Sequence, residues 1–310
     1  MHKSVLLKDV IDALAIKPDG IYVDATFGRG GHSKEILARL GDSGRLIVFD
    51  QDPEAIEYAR AHFNDPRVII VAQNFEYLKE NIERIVTPLT GKAEVDGMLF
   101  DLGVSSPQLD EAARGFSFLK AGPLDMRMDT DSGKSCAEVL ADIDERDLGV
   151  IIKNYGEEKF ARQIARAIVE VSTPLTTTLE LANLIENTIP RRFHDKYKHP
   201  ATRTFQALRI YVNRELEVLE TALNDFADLL CISGRAVFMS FHSLEDRLVK
   251  QKIQSLVTVE ATARHLPIQT KDEDLPRFKL YIKMQKAEAE ELENNPRARS
   301  ATLRVVERIR

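Results

Sequence analysis

The chain has 310 residues and a mass of 35.0 kDa, enough for one domain with an insertion or for two domains, and too few for three. Hydrophobic residues at 44% and charged residues at 30% exclude wholesale disorder, and apolar runs such as Val68 to Val71 are far too short to span a bilayer. A net charge of −6 argues against an indiscriminate nucleic-acid coat; two cysteines, Cys136 and Cys231, without CxxC spacing exclude a disulfide framework or zinc ribbon and point to the reducing cytosol.

The opening Met1 to Val5 lacks the apolar core of a signal peptide, so a cytoplasmic protein is expected. Ile21 to Asp24 reads as a buried strand, and Ser33 to Leu40 as a helix stopped by Gly41. Arg45 to Asp50 reads as a second strand, and Pro53 to Phe63 as a helix with proline in its first turn. Val68 to Ala72 and Val95 to Leu102 read as the third and fourth strands. Strands alternating with helices imply parallel pairing in a doubly wound α/β sheet.

Loop chemistry fills Gly103 to Gly133. Helical patterns follow over Ile143 to Tyr155, Glu158 to Val171 and Leu179 to Ile189, the last opened by a capping box of Thr177 and Glu180. From Phe205 to Leu230 apolar residues recur at helical spacing, which predicts one long helix ended by Gly234. Strand chemistry returns at Arg235 to Phe241, Arg277 to Met284 and Ala301 to Ile309. The economical reading is one α/β domain, residues 1–106 and 213–310, interrupted by a helical insertion over 107–212.

The sharpest local signal is Asp24 to His32, directly after the first strand. Gly28, Gly30 and Gly31 let a backbone turn and approach a ligand closely. A dinucleotide fingerprint needs a third glycine where this chain has Ser33, which disfavours NAD. The second strand ends in Asp50, an acceptor suited to both hydroxyls of a ribose. After the third strand comes Phe75, whose ring suits an adenine face. An adenosine without a pyrophosphate fits this set, and S-adenosylmethionine is such a ligand.

After the fourth strand comes Asp101-Leu102-Gly103-Val104-Ser105-Ser106-Pro107-Gln108. Enzymes that methylate an exocyclic amine often carry an (N/D/S)-P-P-aromatic loop here, whose oxygens draw the amine hydrogens out of plane. This chain has only Ser106-Pro107. No cysteine lies at the end of the fourth strand, which disfavours carbon methylation through a covalent adduct and leaves a nitrogen acceptor. The H-x-E…P-C-x-x-C set of zinc deaminases is missing, and no metal is expected.

Charge is polarised along the chain. Arg191, Arg192, Lys196, Lys198, Arg203, Arg209 and Arg214 face one acid, Asp195. Near the end, Arg297, Arg299, Arg304, Arg308 and Arg310 face only Glu307. Both segments are expected to bind phosphate, and Tyr197, His199 and Phe205, interleaved with the first, to offer rings for unpaired bases. Phe205 also fits the apolar stripe, and core is its expected role.

Seven stretches then stand out in order: Asp24 to Ser33, Asp101 to Asp110, Arg114 to Phe118, Gly122 to Asp129, His199 to Ala207, Ser240 to Arg247 and Asn295 to Ser300. Together they closely resemble the bacterial small-subunit ribosomal RNA cytosine-N4 methyltransferases, the RsmH (MraW) family. The resemblance implies a class I (Rossmann-like) S-adenosylmethionine-dependent methyltransferase sheet with an inserted all-α domain. It implies N4-methylation of one cytidine in the decoding region (P site) of 16S rRNA within the small ribosomal subunit. Carried over by position, cofactor contacts fall on Gly30, Gly31, His32, Asp50, Phe75, Asp101 and Gln108; Ala25 and Gln51 depart from other members. Asp101, Ser106 and Pro107 are the candidates for orienting the reacting groups, with no assigned base. Arg191, Arg192, Lys196, Lys198, Arg203, His242, Arg297 and Arg299 are the candidates for the RNA, with His242 at the base pocket or packed in its loop. Gly122 to Asp129 is expected as a lid or an RNA contact. A monomer or homodimer away from any membrane is expected. A small-molecule methyltransferase and a non-catalytic ribosome assembly factor on the same fold are the rival readings.

Overall fold

The computed structural model describes residues 4–258 and 275–310. Residues 1–3, the start of the stretch read as lacking a signal-peptide core, lie outside the described residues. The chain falls into two compact units, residues 1–103 with 217–310, and residues 104–216. The chain leaves the first unit at Gly103, whose φ of 98° favours glycine, a few residues before the boundary expected at Pro107.

In chain order the elements are α1 (Leu7–Leu14), β1 (Ile21–Asp24), α2 (Gly31–Leu37), β2 (Arg45–Phe49), α3 (Pro53–His62), β3 (Val68–Val71), α4 (Leu78–Thr90) and β4 (Val95–Asp101). Then follow α5 (Ser106–Asp110), α6 (Cys136–Asp142), α7 (Glu145–Gly156), α8 (Ala161–Val169), α9 (Thr178–Thr188), α10 (Thr202–Val212) and α11 (Glu215–Leu229). The chain closes with β5 (Leu230–Ser240), α12 (Ser243–Val257), β6 (Phe278–Gln285), α13 (Ala289–Asn294) and β7 (Thr302–Arg308). Among the described residues no helix is long and apolar enough to cross a membrane.

The strands form one seven-stranded sheet in the order β3-β2-β1-β4-β5-β7-β6. The first five are parallel; β7 runs antiparallel between β5 and β6. This is the expected doubly wound α/β sheet, with an antiparallel pair added at one edge. Its inner strands read as unbroken apolar runs because both faces are covered. Successive side chains of a strand point to opposite faces. Ile21 and Val23 therefore join one core with Ile47, Phe49, Phe100 and Phe238, packed by apolar residues of α4, α11 and α12. Tyr22, Leu46, Val48, Leu99 and Val237 join the other, with α1 and α2. The parallel order reverses between β1 and β4, and open α/β sheets bind ligands at the carboxyl ends of the strands at such a point.

The second unit has its own core, built from α6 to α10 with Leu124 and Met126. Its segment 122–129, expected as a lid or RNA contact, is tied into this unit. Leu124, Met126 and Met128 are buried, and the Arg114 guanidinium donates to the carbonyls of Arg127 and Met128. The capping box at Thr177 forms as expected, with Glu180 Oε2 accepting from Thr177 N–H at 2.9 Å.

Two expectations change. The single helix over 205–230 is two helices, α10 and α11, separated at Asn213 and Arg214, the latter at φ 51°. Asn213 donates to the carbonyl of Met126 and accepts from Met128 N–H, both at 2.7 Å, so the break carries a cross-link that periodicity does not reveal. Gly234 does not end a helix. It lies within β5, where the register against β4 shifts; a Cβ there would sit 2.8 Å from the Cys231 carbonyl oxygen.

Phe226 is fully buried, with its ring 5.2 Å from that of Phe238 and 6.2 Å from that of Phe278. Phe226→Ala is expected to cost about 3–5 kcal/mol of stability in urea denaturation, and Phe226→Leu under about 1.5 kcal/mol. Equal losses would contradict this account of the core.

Candidate active site

The carboxyl ends of the parallel strands gather acids. β1 ends in Asp24, β4 in Asp101, and Asp50 directly follows β2. Asp24 is buried; its Oδ2 accepts the Ser33 hydroxyl at 2.6 Å and its Oδ1 accepts Thr26 N–H at 3.2 Å. Burial nevertheless pushes this carboxyl up to about 6, against the lowering effect of those hydrogen bonds. Asp50 Oδ2 accepts Gly28 N–H at 2.8 Å and its Oδ1 accepts Asp52 N–H at 2.9 Å. Burial pushes it, too, up to about 6. Each Asp50 oxygen takes one of these bonds, which leaves acceptor capacity for a ribose diol.

Phe75 opens a 3-10 turn after β3 and is half-buried, its ring edge-on to Phe100 at 6.0 Å. Asn74 accepts Glu76 N–H at 3.0 Å and donates to Gln51 Oε1 at 2.7 Å. That bond ties the segment after β3 to the segment after β2, so Phe75 and Asp50 are held in one frame.

Gly28 and Gly30 have φ of 55° and 70°, where other residues are strained. Gly30 and Gly31, expected to serve close ligand approach, also answer to a packing constraint. A Cβ on Gly30 would lie 2.5 Å from the Phe63 ring, and one on Gly31 would lie 1.9 Å from Ser4 Oγ. Glycine at both positions is enforced by the protein's own packing.

His32 is buried with Nε2 3.1 Å from the Val5 carbonyl oxygen. A carbonyl only accepts, so Nε2 carries the proton. Burial holds the ring's pKa down at about 4, so His32 is neutral at pH 7 and its Nδ1 presents a lone pair. That lone pair lies 3.5 Å from Asp101 Oδ2. Burial, then the nearby charges of Asp24 and Glu245, hold the Asp101 carboxyl well above the ordinary range. A protonated Asp101 is the state that suits a facing lone pair. Thr26 Oγ1 accepts Asp101 N–H at 2.8 Å, which fixes the strand end.

The remaining expected residues lie at helix starts. Ser106 and Pro107 open α5 in the second unit, and Gln108, buried, accepts Ser105 N–H at 2.9 Å through Oε1. His242 caps α12: its Nδ1 accepts Glu245 N–H at 3.5 Å, and its Nε2 lies 3.0 Å from Glu245 Oε1. Its Nδ1 is engaged in the helix start, while its buried Nε2 makes no hydrogen bond among the described residues.

The carboxyl-terminal basic segment loses much of its expected charge. Arg304 is buried against Asp246 at 2.7 Å and 2.9 Å, and Arg308 pairs with Glu94 at 3.3 Å. Arg299 is exposed and Arg297 half-buried. In the first segment Arg209 pairs with Glu215 at 2.7 Å and 2.8 Å. Arg191, Arg192, Lys196 and Lys198 are exposed, as is Arg203, whose Nη1 donates to the Glu157 carbonyl at 3.1 Å. Cys136 lies in the second unit's core, where burial pushes its thiol far up; Cys231 lies at the amino end of β5, its thiol also raised, by burial and then Asp96.

Ser33, Thr26, Asn74 and Glu245 take part without being singled out by spacing. Only Glu245 had a sequence signal, three residues after the His242 cap.

The donor set fits a cationic adenosine. Burial raises the Asp24 and Asp50 carboxyls, and a sulfonium or ammonium brought near them would favour their ionised form. A ribose acceptor and an aromatic ring on adjacent strand ends complete the set.

A raised folded pKa means that the folded protein binds more protons than the unfolded chain between about pH 4 and 6, so stability is lost as pH rises through that window. Asp50→Asn removes this loss. Its stability relative to the parent protein is expected to rise by roughly 2 kcal/mol between pH 4 and pH 7.5 in urea denaturation. A pH-independent difference would contradict the raised carboxyl.

The profile of the MraW methylase family matches residues 1–309. "Ribosomal RNA small subunit methyltransferase H" of Alteromonas mediterranea is 51% identical over 311 residues, covering 99% of this chain and 97% of that protein. The proteins of the same name from Nitrosospira multiformis and Chromobacterium violaceum are 49% and 51% identical, each covering 99% of this chain and 97% and 95% of theirs. A solved putative rRNA-methylase from Clostridium thermocellum is 12% identical, covering 100% of this chain and 99% of its own, with a TM-score of 0.45, too distant to bear on function. A match over the full length, joined by relatives sharing half of their residues, leaves one conclusion: the chain belongs to the MraW methylase family.

Proposed function

We propose that this protein is an S-adenosylmethionine-dependent methyltransferase that acts on small-subunit ribosomal RNA, methylating N4 of one cytidine in the P-site region of 16S rRNA. The observation that carries this reading is the end-to-end likeness, at about half identity, to proteins of one name. The crescent of Asp24, Asp50 and Asp101 supports the donor. A cytoplasmic protein acting on the assembled small subunit is part of this reading.

When bound, the sulfonium supplies an electrophilic methyl group. The protein supplies position. Asp50 would accept the ribose hydroxyls, and Phe75 would cover the adenine. Asp24 and Asp101 would face the cationic end, and His32 keeps Asp101 in place. Gln108 as a further cofactor contact, and Ser106 and Pro107 for the target amine, belong to the same proposal, as does RNA recognition by residues 104–216. Nitrogen methylation needs no thiolate, which agrees with two cysteines whose thiols are raised.

Tritium from labelled donor should enter undermethylated small subunits, with N4-methylcytidine found by mass analysis of nucleosides. Asp50→Ala should abolish transfer and donor binding. Arg203→Ala should raise the KM for subunits several-fold and leave donor affinity unchanged; equal loss of both would refute the division of labour. Salt-insensitive turnover of a small amine, with none on subunits, would favour the small-molecule reading.

A further inference from the structure

The segment between α9 and α10 is the most exposed aromatic and cationic stretch of the second unit. Tyr197 is 87% exposed and Phe193 54% exposed, unusual for rings of this size in a folded domain. They alternate with the cations Arg191, Arg192, Lys196 and Lys198, all exposed and without an ion-pair partner among the described residues. Arg192 lies over the Phe193 ring at 4.9 Å, and Lys196 over the Tyr197 ring at 5.7 Å.

The segment is held in shape. His194 Nε2 donates to the Ile189 carbonyl at 2.8 Å, and Phe193 leans on Phe160 at 5.1 Å. Asp195, the one acid here, spends its Oδ1 on the N–H groups of Tyr197 and Lys198, at 2.7 Å and 3.2 Å. It therefore shapes the turn that presents Tyr197 and pairs with none of the four cations. The two remaining rings of the segment have partners within the protein. Phe205 is buried, and His199 packs against Phe118 at 4.8 Å with its Nε2 3.5 Å from Glu186.

We propose that Phe193 and Tyr197 form a stacking platform for unpaired nucleotides of the RNA substrate, with Arg191, Arg192, Lys196 and Lys198 receiving the flanking phosphates. The proposal rests on the RNA reading above and names the surface that grips the RNA. Bases have apolar faces and phosphates carry charge, so alternating rings and unpaired cations match a single strand in both respects. The platform reads stacking and not base edges, so it contributes grip with little sequence preference.

The test uses the full-length protein with donor, small subunits and an unstructured fluorescent RNA oligonucleotide. Tyr197→Ala should weaken oligonucleotide binding and raise the KM for subunits by roughly tenfold, with kcat and donor affinity unchanged. Tyr197→Trp should restore both and Tyr197→Leu should not, since a merely structural role would accept leucine. Phe193→Ala should add to the loss. If Tyr197→Ala and Phe193→Ala together bind and turn over as the parent does, while the parent methylates subunits, the platform is wrong and the RNA reading stands. If subunit binding falls but oligonucleotide binding does not, the surface meets a ribosomal protein and the proposal is overturned. If the parent methylates no RNA, the RNA reading fails and the platform with it.

Discussion

The structure depends on carboxyls gathered at the ends of parallel strands, Asp24 buried and Asp50 and Asp101 half-buried. Asp24 and Asp101 end the two strands between which the order reverses, Asp50 follows the neighbouring β2, and burial raises all three. Keeping an ionised acid desolvated costs stability, which the two apolar cores on either side of the sheet offset. A cation brought near these carboxyls reverses the sign of that cost. The same arrangement that makes the free protein less stable at neutral pH therefore creates affinity for a positively charged adenosine.

Around these acids the local hydrogen bonds fix geometry more than charge. Ser33 and Thr26 hold Asp24 and the end of β4, Gly28 N–H orients Asp50, and the Asn74–Gln51 bond joins two neighbouring strand ends. His32 contributes as a neutral ring, its tautomer set by the Val5 carbonyl. Such a frame places substrate groups without needing a strong base, which suits transfer to a nitrogen whose proton leaves to solvent or a weak acceptor.

The sheet was largely legible because its inner strands are apolar runs bounded by Asp and Gly, which few other structures produce. The places of Asp50 and Phe75 followed from the same runs: Asp50 comes directly after β2, and Phe75 four residues after the end of β3. What failed did so through long-range partners. Counting charge at the carboxyl terminus could not see that Arg304 meets Asp246, or Arg308 Glu94, across large sequence separations. Periodicity ran through Asn213 because an amide clamp on Met126 and Met128, 85 or more residues away, leaves no local mark. Nor does spacing show that a Cβ at Gly30 or Gly31 would meet the Phe63 ring or the Ser4 hydroxyl.

The most direct test is calorimetric titration of S-adenosylmethionine into the protein at pH 6, in two buffers of different ionisation enthalpy. Ionising half-protonated Asp24 and Asp50 predicts net proton release on binding, and an affinity that falls as pH drops from 7 to 5. Binding with no proton exchange, or with affinity that climbs as the solution becomes more acidic, would contradict it.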